Sequence, residues 1–142
     1  MAVPLNRMAR LTLFMFNVPN MTQEVMTAIY DMAKAIYEGN DTLKDCKERI
    51  NRFYGVNVNS FATYYRAFKY MLDGYCDKRG INPELRDYML TRIHKDYGLD
   101  QYKIAVNAYR MFIEYDEEHK HINKIKEREL CNKHLRIIST LQ

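Results

Sequence analysis

Gly39, Gly55, Gly74 and Gly98 each close a stretch whose apolar residues recur at helical spacing, and a capping residue opens each stretch. Glycine just past a helix takes the left-handed backbone that ends it, so these positions punctuate the chain into helical lengths. The whole sequence has only five Gly and three Pro. That supplies too little turn chemistry for a sheet built on tight hairpins. The expectation is an all-α protein.

The segments bear this out one at a time. "MTQEVMTAIYDMAKAIYEGN" opens on Thr22 as a cap, places Met21 and Met26 as a hydrophobic staple, and carries Val25, Ile29, Met32 and Ile36 along one stripe. "DTLKDCKERINRFYG" repeats the scheme with Leu43, Cys46, Ile50 and Phe53. "NSFATYYRAFKYMLDG" starts at Asn59 or Ser60, with Phe61, Tyr64, Tyr65, Phe68, Met71 and Leu72 inward. "NPELRDYMLTRIHKDYG" has Asn82 as cap and Pro83 at the first helical position, where a missing N–H costs nothing. Its stripe is Leu85, Met89, Ile93 and Tyr97.

From Leu99 to Gln142 there is neither Gly nor Pro. Tyr102, Ala105, Val106, Tyr109, Phe112 and Ile113 predict one helix; Ile122, Ile125, Cys131, Leu135, Ile138 and Leu141 predict another. A single rod over this length would project roughly 60 Å or more at about 1.5 Å per residue. A break within "EYDEEHKHINK" is therefore expected. The sum is a single bundle of five or six helices over 21–142. Residues 1–20, with "LTLFMFNV", form an extension that reads as a strand, an apolar turn or a partner contact.

A chain of 142 residues with 47% hydrophobic and 28% charged residues has the bulk of one folded domain. Cys46, Cys76 and Cys131 are odd in number and scattered, which fits free thiols in a reducing compartment. No apolar run approaches the ~20 residues that cross a bilayer. Arg7 and Arg10 before an apolar run of about eight residues mimic a signal peptide, but Asn17 ends it without a small-residue cleavage pattern. The expectation is a cytoplasmic protein with no membrane partner.

The formal charge of +4 is mild, yet it is unevenly placed. Residues 41–80 carry eight Lys/Arg against five acids, and 119–142 carry six against two. Arg66, Lys69 and Tyr70 share the wet side of the third helical stretch, and Lys78 and Arg79 follow in the loop before Asn82. Arginine forks, lysine point charges, an aromatic face and a nearby helix N-terminus suit phosphate. The bland alternative is a solvated helix face. Lys124, Lys126 and Arg128 offer a second, salt-dependent contact, or simply the polar side of the last helix.

His119, His121, Cys131 and His134 have ligand chemistry, but the two nearer histidines point apart on a helix and no standard zinc order is present. Glu114, Asp116, Glu117 and Glu118 cannot all face one point. No phosphate-cradling glycine loop, nucleophile elbow or H-E-x-x-H occurs. The expectation is a non-enzymatic chain with no metal and no cofactor.

Tyr65, Phe68, Leu72 and Gly74, then Arg79 before Ile81 and Asn82, then Asp96-Tyr97-Gly98, Ala108 and the Ile113–Tyr115 step form a pattern over about sixty residues. It resembles a small helical accessory module of prokaryotic restriction-type proteins, one that often precedes HNH-type nuclease domains. The His, Asn and Cys arrangement of such a nuclease does not occur in this sequence. The resemblance implies DNA recognition or assembly in a restriction-modification or phage-defence setting, without cleavage by this chain. Two functions follow: DNA binding through Arg66, Lys69, Tyr70, Lys78 and Arg79 with Lys124, Lys126 and Arg128 in support, or a protein-interaction module. Nine Met and the apolar N-terminal stretch favour the second, as a homodimer or as a regulator of a larger enzyme.

Overall fold

The computed structural model describes residues 21–142. Among these residues there are six helices and no strand: α1 Gln23–Tyr37, α2 Leu43–Tyr54, α3 Val58–Asp73, α4 Pro83–Tyr97, α5 Leu99–Lys120 and α6 Ile125–Leu141. The apolar N-terminal stretch lies outside the described residues. The described residues divide into two compact units, 21–62 and Thr63–Gln142, with the division inside α3.

In the first unit, Thr22 Oγ1 accepts from the Val25 N–H at 3.2 Å and caps α1. Thr42 does the same for α2 through the Asp45 N–H. Gly55 ends α2 at φ +70°. The buried faces sit slightly off the expected stripes. Ala28, Ile29, Tyr30 and Ala33 are covered on α1, while Phe53 of α2 is 59% exposed. Cys46 and Ile50 remain the inward pair of α2. Asn57, slightly earlier in the chain than expected, accepts from the Asn59 and Ser60 N–H groups and so starts α3.

In the second unit, α4 packs on α5, and α6 packs on both. Asn82 Oδ1 accepts from the Glu84 and Leu85 N–H groups, and Pro83 stands at the first helical position as expected. Leu85, Met89 and Ile93 are wholly buried with Leu90, and Tyr102, Val106, Tyr109 and Phe112 of α5 are core residues with them. The break in the last third falls at 121–124, where His121 adopts a left-handed φ of 53°. Such backbone is uncommon away from glycine, and it lets α6 turn back onto α5.

The last helix departs most from expectation. Ile125, Leu135 and Leu141 are exposed, and the covered residues are Glu127, Cys131 and His134, stepping by four and three. Two of these are polar, and α4 and α5 supply their partners. Tyr109 Oη donates to Glu127 at 3.5 Å. His134 lies between Tyr102 of α5 and Asp87 of α4, with Nε2 at 2.6 Å from the Asp87 carboxylate. His94 stacks on Tyr102, with ring centres 4.4 Å apart.

Candidate functional site

The loop from Gly74 to Ile81 joins α3 to α4 and carries several of the charged groups singled out above. Gly74 has φ +79°, and a methyl group there would come within 3.1 Å of Ile104. Gly80 lies so close to Phe112 that a Cβ would be 3.3 Å from its ring. Both positions hold the loop flat against α5. Asp77, 3% exposed, ties it down: its Oδ1 accepts from the Arg79 N–H at 3.1 Å and lies 3.5 Å from the Arg66 guanidinium.

Between loop and helix is a cleft of about 350 Å³ lined by Arg66, Tyr70, Cys76, Asp77, Lys78 and Arg79. Arg66 lies 6.0 Å from the centre of the Tyr70 ring, which in turn meets Tyr75 edge-on at 6.1 Å. Lys78 stands 5.4 Å from the Tyr115 ring. Three cationic side chains thus share the cleft with one carboxylate. The structure brings together Arg66, Tyr70, Lys78 and Arg79. Lys69 is exposed on α3 and does not line the cleft.

Lys124, Lys126 and Arg128 do not extend this surface as free charges. Lys124 lies 2.7 Å from Asp116 and 3.5 Å from Glu127. Lys126 pairs with Glu84. Arg128 donates from Nε to Glu117 at 2.8 Å. Burial pushes the Asp116 carboxyl up, but Lys120 and Lys124 outweigh it and hold it below its ordinary value. The hydrogen bond from Arg128 does the same for Glu117, and that from Lys126 for Glu84.

The expected stripe of α4 does not include one of the most deeply buried groups of that helix. Arg86 of α4 is 1% exposed, with its guanidinium 5.0 Å from the Tyr109 ring centre and 4.9 Å from that of Phe112. Its Nε and Nη2 have no hydrogen-bond partner. Burial pulls its pKa down, opposed by Tyr109 and by the Glu127 and Asp77 carboxylates. Cys76, on the cleft wall, feels the same guanidinium.

A second cleft, in the first unit, measures about 430 Å³ and is lined by Glu48, Arg49, Asn51, Arg52 and Val58. Arg49 is already tied to Asp41 there, and Glu48 offsets Arg52, so its charge is balanced. Burial pushes the Cys46 and Cys131 thiols up to about 11, which leaves them protonated and poor nucleophiles. Among the described residues no three His, Cys, Asp or Glu side chains group to hold a metal ion, and no helix is long and apolar enough to cross a membrane. No protein family, curated protein or solved structure matches this chain.

Proposed function

We propose that this chain is a non-enzymatic helical module that binds DNA through the cleft between α3 and the loop before α4. The observation that carries the reading is the convergence of Arg66, Lys78 and Arg79 with Tyr70 on one concave surface. Arginine supplies paired donors to phosphate oxygens, lysine a mobile point charge, and tyrosine a face for sugar or base. Because Lys124, Lys126 and Arg128 are engaged by carboxylates, the reading rests on the cleft. The restriction or phage-defence setting implied by the resemblance belongs to this proposal.

Binding to a short duplex across a salt series tests it. Affinity should fall with a log–log slope of about −0.9 per phosphate contact. Lys78 and Arg79 are exposed, so reversing both to Glu should spare the fold while making the slope shallower by about 1.8. An unchanged slope would remove the reading.

A second reading, self-association, has its own observation. The covered stripe of α6 continues past His134 into Ile138 and Leu141, yet Leu141 is 49% exposed. A second copy of the chain could cover it. Sedimentation should then show mass rising with concentration, and Leu141→Lys should hold the protein at monomer mass. A wild-type monomer at every concentration counts against it.

A further inference from the structure

We infer that the cleft receives the terminal phosphate of a DNA end in preference to continuous duplex, an inference that rests on the DNA reading above. A duplex carries one charge per about 3.4 Å along each strand, and a protein that follows it needs a run of available cations. In this unit, Arg110, Lys120, Lys124, Lys126, Arg128 and Lys133 are each tied to a carboxylate, while Lys69, Lys95, Lys103 and Arg136 do not line the cleft. Arg66, Lys78 and Arg79, one of whose three charges Asp77 offsets, instead converge on one space of about 350 Å³. That is near the small end of ligand pockets, which run from about 300 to 1,000 Å³. It admits one nucleotide.

Charge selects which nucleotide. A terminal phosphomonoester carries about −1.5 to −2 at neutral pH, more than the single charge of a backbone diester. Converging cations reward that extra charge. Arg86 adds a buried positive charge with two unpartnered nitrogens, and it interacts with Asp77 and Cys76, both of which line the cleft. A charge held in a low-dielectric interior acts on a nearby anion more strongly than one in water. Asp77 serves as a positioning residue, because its one carboxylate oxygen orients both Arg66 and the Arg79 backbone. Tyr70 then meets the terminal base, which has a free face that internal bases lack.

Three versions of one duplex test the inference by fluorescence anisotropy: one with a 5′-phosphate, one with a 5′-hydroxyl, and one closed at both ends by loops. The phosphorylated end should bind about tenfold tighter than either other form, the size of one charge-assisted contact. Lys78→Ala with Arg79→Ala should erase that difference. Equal binding of all three duplexes overturns end recognition and leaves DNA binding standing. No binding to any of them overturns both. Binding of thymidine 5′-monophosphate without binding of the phosphorylated duplex also overturns it, by assigning the site to free nucleotides.

Discussion

Replacing Arg86 by alanine should lower the free energy of unfolding by about 4 kcal/mol, the combined effect of a core cavity and a cation lost from beside two buried acids. The side chain lies against the Tyr109 and Phe112 rings, so truncation removes both its packing and its cation–π contact. It also removes one of the cations that face Asp77 and Glu127, 3% and 4% exposed, leaving them Arg66 and Lys124. Arg86→Met separates the two effects. It loses the same charge as alanine but keeps most of the volume. Its loss should be under about half that of alanine, since apolar replacement of a buried charge is often tolerated. Urea unfolding of the three proteins gives the comparison. If alanine and methionine cost the same, the guanidinium's packing contributes nothing, and the account of this core is wrong.

The same residue marks where the sequence was legible and where it was not. Helix ends are local events. Thr22, Thr42, the Asn82–Pro83 start and the glycine stops need only a few neighbouring residues, and each appears in the fold as written in the chain. The first four helices follow from that punctuation, and the break near His121 from a polar run in a stretch too long for one rod. Which face is covered depends on residues far along the chain. Arg86, Leu90, Ile93 and Tyr97 step by four, three and four, as regular a stripe as Leu85, Met89 and Ile93, but an arginine reads as solvated until Tyr109 and Phe112 are set beside it. Glu127, Cys131 and His134 repeat the case on α6. The cleft was partly legible because Arg66 and Tyr70 lie four apart on one helix edge and Lys78 and Arg79 follow within one loop. The carboxylates that engage Lys126 and Arg128 were invisible, since Glu84 and Glu117 belong to other helices.

Removing the His134 imidazole should cost about 3 kcal/mol, because it empties a buried site and strands the polar group that faced it. His134 is wholly covered and links three helices: α6 carries it, Tyr102 comes from α5 and Asp87 from α4. An ionised Asp87 can only accept, so Nε2–H donates to it, while Nδ1 meets the Tyr102 hydroxyl. In His134→Ala the Tyr102 hydroxyl, on a residue only 1% exposed, has lost that partner. Tyr102→Phe in the same background removes the stranded hydroxyl. The double variant should therefore lose less than the two single losses added together. Asp87 gives the link a pH signature. The hydrogen bond from His134, reinforced by Lys133, holds its carboxyl below the ordinary 3.8 despite partial burial. A carboxylate depressed in the folded state contributes stability in full above its unfolded pKa, and that contribution is lost as pH falls through the lower folded value. Urea midpoints measured from about pH 5 down to about pH 2 should fall more steeply in the wild type than in Asp87→Asn. Parallel curves would mean that Asp87 titrates as it does in the unfolded chain, and that the bond drawn from His134 does not form.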